Sequence, residues 1–186
     1  FCSPTALQRI FHADGEKAVA KAANKYGTMF GVSSLGTISL SDISKITDGP
    51  KLFQFYYHKD KNINSFLLDS AKQNGFNALA LTVDTAVGGN RERDLRSGFT
   101  IPLKLNYKSL ISFLIHPSWS YNYIFGKKVE LPELKKFIIE GSNLSMSVSK
   151  YFSEMLDSSL SWKDAEDLAN KWGANFCLKG IMSKND

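Results

Sequence analysis

Hydrogen-bonding side chains lie within or directly after five short apolar runs of the sequence. They are Thr5, Ser33, Gln54, Thr82 and Lys179. Hydroxyl and amide groups both donate and accept hydrogen bonds, which suits the mixed donors and acceptors on the pyrimidine edge of a flavin. A lysine ammonium group can stabilise the negative charge that develops at N1 and the C2 oxygen of a flavin on reduction. If these side chains lie together, their types predict a flavin-binding site.

The polar side chains lie together if the apolar runs are strands of one parallel sheet. The runs cover 1–4, 28–32, 52–56, 77–83 and 175–178, and each is short enough for a buried strand. The segments between them carry apolar residues at helical spacing. Alternating strands and helices are typical of βαβ units, in which the carboxyl ends of the strands share one rim. We therefore predict an α/β fold, a partial (β/α)8 TIM barrel with about the first five βα units, as a single domain over 1–186.

Polar residues that can cap backbone N–H groups predict where four of the helices begin. The candidate caps are Asp14, Ser39 with Asp42, Asn62 or Asn64, and Ser161 with Asp164. The two serine–aspartate pairs have the spacing of a capping box, in which each residue accepts a hydrogen bond from the backbone of the other.

The interval 84–160 is too long for one helix and its connections, because the other crossovers need only about 25 residues. We predict an extended segment inserted after the fourth strand. It contains the apolar run 110–115, the aromatic residues Trp119, Tyr121, Tyr123 and Phe125, and the lysines Lys104, Lys108, Lys127 and Lys128. An ordinary packed subdomain is the simpler interpretation. The alternative is a membrane-facing surface, with aromatic rings at headgroup depth and lysines on anionic lipid.

The composition excludes several other classes of protein. The chain has 186 residues and a net charge of +5, a mild excess that favours an anionic substrate, a phosphate-bearing cofactor or an anionic membrane surface. Basic residues are not interleaved with stacking aromatics, so nucleic-acid binding is not expected. Cys2 and Cys177 have no neighbouring cysteine or histidine cluster, which predicts free thiols rather than a metal site. The sequence has no run of 18 apolar residues for a membrane span.

The motifs around the polar residues resemble those of the FMN-dependent 2-hydroxy-acid dehydrogenase and oxidase family, which includes glycolate oxidase, lactate oxidase and flavin L-lactate dehydrogenase. The motifs keep the order and spacing of that family, and together they are highly specific although each alone is weak. The matching segments are Ser3-Pro4-Thr5-Ala6, His12-Ala13-Asp14-Gly15-Glu16, Ser33-Ser34, Phe53-Gln54-Phe55-Tyr56, Leu81-Thr82-Val83-Asp84-Thr85, Gly89-Asn90-Arg91-Glu92-Arg93-Asp94, and 161–180 with Leu178-Lys179-Gly180.

The resemblance implies FMN as the cofactor and a role for each matched residue at the flavin. The backbone of Pro4, Thr5 and Ala6 would pass the flavin ring near N5. The side chains of Ser33, Gln54 and Thr82 would form hydrogen bonds to the flavin. Lys179 would place a cation at N1 and the C2 oxygen.

The resemblance also implies two substrate-binding residues. Tyr56 would bind the substrate near its carboxylate or hydroxyl, and Arg91, on the loop after the fourth strand, would face the substrate. The general base of the family is a histidine in an S-N-H-G-G-R-Q motif, which this sequence lacks. We interpret the three histidines present as surface or packing residues, namely His12, His58 and His116. No catalytic residue is therefore assigned, and the base is expected beyond Asp186.

Three segments, 93–99, 116–119 and 157–162, are most similar to the flavin L-lactate dehydrogenase branch of the family. This similarity implies oxidation of L-lactate to pyruvate, with electrons passed to a quinone or cytochrome of the respiratory chain. It also implies a homo-oligomer on the cytoplasmic face of a bacterial plasma membrane, in peripheral contact with lipid. Two alternatives stay open, a 2-hydroxy-acid oxidase that uses oxygen and a non-catalytic partial barrel that lacks the base.

The two ends of the sequence predict a chain that is cut on both sides. Phe1 opens directly into an apolar run, and the last residues before Asp186 are typical of the start of another helix.

Overall fold

The computed structural model describes residues 1–85, 92–98, 107–135, 137 and 154–184. Within these ranges four parallel strands form one sheet and are hydrogen-bonded in chain order. The strands are β1 (Phe30–Ser33), β2 (Lys51–Tyr56), β3 (Ala78–Thr82) and β4 (Asn175–Lys179). The helices are α1 (Glu16–Lys25), α2 (Leu40–Ser44), α3 (Lys61–Gln73), α4 (Glu92–Ser97), α5 (Tyr107–Ile115), α6 (Pro117–Phe125) and α7 (Trp162–Trp172). The predicted α/β class with a parallel sheet is confirmed.

The two faces of the sheet differ because successive side chains of a strand point to opposite sides. Phe53 and Phe55 of β2, and Leu79 and Leu81 of β3, are fully buried in the hydrophobic core. Apolar side chains of α1, α3 and α7 belong to the same core, and each fully buried side chain of this size contributes about 1.5–3 kcal/mol. The residues between them on each strand therefore lie on the opposite face.

The prediction of a strand at 1–4 is wrong. Cys2 forms a single parallel bridge with Phe30, through hydrogen bonds from Cys2 N to Met29 O and from Gly31 N to Cys2 O, both 2.8 Å long. Pro4 has no backbone N–H, so the ladder cannot continue with a further donated bond at that residue. The segment nevertheless runs beside β1, on the edge opposite β2.

Two of the predicted helix starts agree with the structure. At α7 the Ser161 hydroxyl accepts from Asp164 N, and the Asp164 carboxylate accepts from Ser161 N at 3.0 Å, so this capping box is confirmed. At α2 the Ser39 hydroxyl accepts from Asp42 N at 3.1 Å. The Asp42 carboxylate pairs instead with Lys45 at 3.2 Å, so only half of this predicted box forms.

The other two predicted caps are wrong by one to four positions. The residue before α1 is Gly15, whose φ of 50° is in the left-handed region, so Asp14 is not the cap. The residue before α3 is Asp60, whose Oδ1 accepts from Asn62 N at 2.8 Å. Asn64 cannot serve as the cap because its side chain is buried and bonded to the backbone of His58.

The described part of the predicted insert packs partly against the rest of the chain. Trp119 of α6 stacks on Tyr123 with ring centroids 5.1 Å apart, and its Nε1 donates to Ile10 O at 2.9 Å. Glu133 is buried, and its carboxylate accepts from Leu40 N at 2.9 Å and from the Ser70 hydroxyl at 3.0 Å. No helix in the described ranges combines the length and apolarity needed to cross a membrane.

Candidate functional site

A line of hydrogen-bonded side chains joins the carboxyl ends of three strands. The Ser33 hydroxyl donates to Gln54 Oε1 at 2.7 Å, and Gln54 Nε2 donates to Thr82 Oγ1 at 2.7 Å. Ser33 and Gln54 are register partners in the sheet, and Thr82 lies two residues beyond the partner of Gln54. All three side chains are therefore on the face opposite the hydrophobic core, and all three are buried.

The line retains unused hydrogen-bonding capacity, as a ligand-binding site requires. Its two bonds use one of the two Nε2 hydrogens of Gln54 and leave the hydroxyl hydrogen of Thr82 for another acceptor. Beside Ser33, the buried hydroxyl of Ser34 has no hydrogen-bond partner in the described part of the chain. Ser34 N donates to Gln54 O as the next rung of the ladder, so side-chain alternation puts this hydroxyl on the opposite face from the line. The residues of the line fit a ring with mixed donors and acceptors.

Lys179 brings a positive charge to the same rim. It ends β4 in register with Thr82, and its Nζ lies 3.9 Å from Asp84 Oδ2, with each side chain 47% exposed. An ion pair this exposed holds its partners weakly, so the ammonium group can interact with an anionic or electron-rich ligand. The next residue, Gly180, has φ 119°, and a Cβ there would meet Asp84 Cβ at 2.6 Å. Only glycine therefore allows Asp84 to approach this turn.

The backbone of Pro4, Thr5 and Ala6 follows the bridge between Cys2 and Phe30. A Cβ on Gly31 would lie 2.9 Å from Pro4 Cδ and 3.0 Å from Pro4 N, so the two segments touch through a glycine. Gln8 holds the following turn through a 3.2 Å bond from Nε2 to Thr5 O. The segment is thus anchored beside the strand that carries Ser33.

The structure describes only one of the two predicted substrate-binding residues. Tyr56 ends β2, is half-buried, and is the register partner of Thr82. Its position in β2 places it on the same face as Gln54, two residues nearer the end of the strand. Arg91 lies outside the described residues.

The three histidines occupy different environments. His58 is fully buried against the Phe55 ring, 6.1 Å between centroids, and its Nδ1 is 3.3 Å from Asn64 Oδ1. Burial lowers the pKa of His58 to about 4, which keeps the ring neutral at neutral pH. His12 and His116 are exposed, and their Nδ1 atoms contact the backbone of Asp14 and Ser112, respectively. These contacts agree with the interpretation of all three as packing or surface residues.

The site predicted from the sequence did not include two residues that contact its segments in the structure. Asp84 lies two residues after β3, where polar residues of parallel sheets are informative, yet its approach to Lys179 depends on the geometry of Gly180. Glu16 lies in a matched motif, but nothing in its spacing predicts that it is buried.

A cleft of about 300 Å³ lies near the ends of β3 and β4. Its lining includes Val83, Leu178 and the first residues of α7, with Trp162 among them. None of the predicted flavin-binding residues lines it, and Leu178 belongs to the partly buried side chains that pack on the core. The cleft therefore lies on the core side of the sheet and is not part of the polar site.

Comparison with known proteins identifies the relatives of this chain. A model of the FMN-dependent dehydrogenase family matches residues 1–186. The chain is 32% identical over 184 residues to glycolate oxidase of Spinacia oleracea, a match that covers 99% of this chain and 44% of that protein. It is also 32% identical over 185 residues to (S)-mandelate dehydrogenase of Pseudomonas putida, with 98% and 46% covered.

A solved structure supports the same relationship. The crystal structure of the monotopic membrane protein (S)-mandelate dehydrogenase matches with a TM-score of 0.86 at 31% identity. That match covers 100% of this chain and 48% of the other, so the chain spans a little under half the length of its relatives. The sheet corresponds to part of a TIM-barrel enzyme, as predicted. Because the family model matches the whole chain, the chain belongs to the FMN-dependent dehydrogenase family.

Proposed function

We propose that the protein containing this chain oxidises an L-2-hydroxy acid with FMN, and specifically L-lactate to pyruvate, with electrons passed to a quinone or cytochrome. The observation that carries this proposal is the line from Ser33 through Gln54 to Thr82, with Lys179 at the same rim. Oxidation of 2-hydroxy acids by FMN follows from the family. The choice of lactate rests on the motifs at 93–99, 116–119 and 157–162.

Three groups of the described residues would contact FMN in different ways. Ser33, Gln54 and Thr82 would hold the pyrimidine edge of the flavin with their spare donors and acceptors. Lys179 would supply positive charge near N1 and the C2 oxygen. The backbone of 4–6 would pass the flavin ring. When bound, FMN accepts the two electrons that leave the hydroxyl-bearing carbon of the substrate.

The substrate contacts complete the proposal. Tyr56 ends its strand beside the proposed flavin contacts, so its hydroxyl can orient the substrate carboxylate or hydroxyl, and Arg91 can pair with the carboxylate. None of the three histidines in this sequence takes the role of base in this proposal. Proton removal would belong to the histidine of the S-N-H-G-G-R-Q motif of the family.

Anaerobic reduction of the flavin tests this function. The protein is expressed from its complete gene, loaded with FMN and mixed with one acid at a time, and the visible absorbance of the flavin is followed. We expect L-lactate to bleach the flavin faster than glycolate or (S)-mandelate, and D-lactate to leave it oxidised. Bleaching by mandelate or glycolate with none by L-lactate would refute the choice of substrate.

The electron acceptor distinguishes the alternatives. A dehydrogenase that feeds the respiratory chain should reduce a soluble quinone much faster than oxygen. An oxidase would instead form hydrogen peroxide at the rate of substrate turnover in air. If the complete gene encodes a protein that binds FMN but is not reduced by any 2-hydroxy acid, the non-catalytic alternative holds.

We also propose that the α5–α6 pair, formed by residues 107–125, contacts the cytoplasmic face of a bacterial plasma membrane. Its apolar side chains are largely exposed, with Leu114 and Phe125 each at 72%. Exposed Lys127 and Lys128 come after Gly126, next to this pair of helices, and can face anionic lipid. The relative (S)-mandelate dehydrogenase is described as a monotopic membrane protein, which supports this location.

Sedimentation with lipid vesicles tests the membrane proposal. Burial of one Phe side chain contributes about 1.5–3 kcal/mol, so Phe125→Glu should weaken binding to anionic vesicles about tenfold or more. Tyr26→Glu is the matched control, because Tyr26 is 76% exposed but lies outside the α5–α6 pair. Equal binding by both variants and the unsubstituted protein would contradict the proposal.

A further inference from the structure

Glu16 is a fully buried carboxylate that the proposed chemistry does not use. Its exposed fraction is 0%, and it forms no ion pair with a cation in the described part of the chain. Its Oε1 accepts from Thr37 N at 2.8 Å and from Gln8 N at 3.4 Å, and its Oε2 accepts from the Thr37 hydroxyl at 2.5 Å. Backbone and hydroxyl donors alone therefore balance the cost of burying this carboxylate.

These bonds join the two segments that carry the proposed flavin contacts. Gln8 follows the segment 4–6, and Thr37 follows Ser33 on the loop after β1. Two more bonds tie the same segments together, from Leu7 N to Leu35 O at 3.1 Å and from Arg9 N to the Thr37 hydroxyl at 3.3 Å. Glu16 is thus the anchor at the centre of this junction.

The backbone at the junction is held in a conformation that it would not adopt alone. Leu7 has φ 57°, in the left-handed region that a residue with a Cβ rarely occupies. Such a conformation persists only where surrounding contacts enforce it. The bonds from Leu7 N and Gln8 N to the loop after β1 and to Glu16 are the contacts that do so here. Without these hydrogen bonds, the path of the backbone through Pro4–Ala6 is no longer fixed.

We propose that Glu16 is a positioning residue, which holds the backbone of 4–6 and the loop after Ser33 in the relative arrangement that binds the flavin ring. This inference rests on the proposed FMN site and adds a residue that does not touch the cofactor. The carboxylate acts through two acceptor atoms, and Thr37 is its main partner. Removing the negative charge of Glu16 and removing the hydroxyl of Thr37 should therefore change the affinity for FMN in the same direction.

The test uses the protein expressed from its complete gene, with four variants. Glu16→Gln preserves the shape of the side chain but leaves the Thr37 hydroxyl hydrogen without its acceptor. Thr37→Val removes the hydroxyl, and Thr37→Ser restores it. Asp14→Asn is the matched control, because Asp14 is exposed and only two residues from Glu16. For each protein we measure the Kd of FMN, the reduction potential of bound flavin, and the melting temperature of the apoprotein.

We expect Glu16→Gln and Thr37→Val each to weaken FMN binding about tenfold (about 1.4 kcal/mol), while Thr37→Ser and Asp14→Asn stay within about twofold. The double variant should bind FMN about as weakly as either single one, because the two side chains act as one unit. The reduction potential of the bound flavin should also change. A tenfold change in the ratio of the affinities for oxidised and reduced FMN corresponds to about 30 mV.

A purely structural role gives a different result. If Glu16→Gln and Thr37→Val lower the melting temperature but leave the Kd and the potential unchanged, Glu16 is not a positioning residue. The same conclusion follows if Thr37→Ser fails to restore binding. If the unsubstituted protein binds no FMN, the proposed function itself is wrong, and the inference is lost with it.

Discussion

Replacement of Lys179 with Met removes the positive charge at the rim of the sheet while keeping a side chain of similar length. Lys179 Nζ lies 3.9 Å from Asp84 Oδ2, and each side chain is 47% exposed. A pair this exposed contributes about 0–1 kcal/mol to folding. We therefore expect the free energy of unfolding of Lys179→Met to change by less than about 1 kcal/mol.

The effect of Lys179→Met on a bound flavin should be larger than its effect on folding. Two unit charges about 4 Å apart interact by about 1 kcal/mol in water and by about 4 kcal/mol at an effective dielectric constant near 20. A half-exposed lysine lies between these limits. Since about 30 mV corresponds to 1.4 kcal/mol for a two-electron couple, loss of the cation should lower the reduction potential of FMN by about 20–90 mV.

The assay for Lys179 is equilibrium reduction of the FMN-loaded protein against a reference dye, with urea denaturation as the measure of folding. Lys179→Arg is the matched control because it keeps the charge at the same place. Its potential should stay closer to that of the unsubstituted protein than to that of Lys179→Met. An unchanged potential in Lys179→Met, or an equal fall in Lys179→Arg, would refute the electrostatic role.

Three further predictions follow from the two faces of the sheet and from its buried polar groups. Thr82→Val should weaken FMN binding about fivefold in a fluorescence titration, by loss of about 1 kcal/mol of hydrogen bonding, whereas unchanged binding would argue against this contact. Leu81→Ala, on the opposite face, should lower the free energy of unfolding by about 2–5 kcal/mol in urea but leave FMN affinity of the folded protein unaltered. His58 has a pKa of about 4 when folded and 6.5 as a free side chain, so the unfolded state binds more protons between these values. Stability should therefore fall by up to about 3 kcal/mol as the pH drops from about 6.5 to about 4, and His58→Gln should remove most of this dependence.

The sequence predicted the elements that depend on neighbouring residues. The apolar runs at 28–32, 52–56, 77–83 and 175–178 correspond to β1, β2, β3 and β4, because strands of a buried parallel sheet are continuous apolar segments. The capping box of Ser161 and Asp164 formed because both partners lie within three residues of each other. The alternation along β2 placed Gln54 and Tyr56 on one face for the same local reason.

The sequence-based prediction failed at one helix cap and at the first strand. Asn64 has the right type for a helix cap, but it bonds to His58 inside the fold, and Asp60 caps α3 instead. The segment 1–4 has the composition of a strand, yet Pro4 supplies no donor, and only one bridge to β1 forms. Residue type could not show that Asn64 would bond to His58 inside the fold, whereas the missing N–H of Pro4 was readable from the sequence.

The sequence was sufficient to determine which polar residues form the site, which strands carry them and on which face of the sheet they lie. Each of these properties follows from residue type and from the two-residue period of a strand. Tertiary structure alone decided the register, which makes Thr82 the partner of both Tyr56 and Lys179 and joins Ser33, Gln54 and Thr82 by hydrogen bonds. It also decided that Glu16 is buried at the junction of two distant segments. Register and burial depend on contacts between residues far apart in the chain, and local sequence patterns do not specify those contacts.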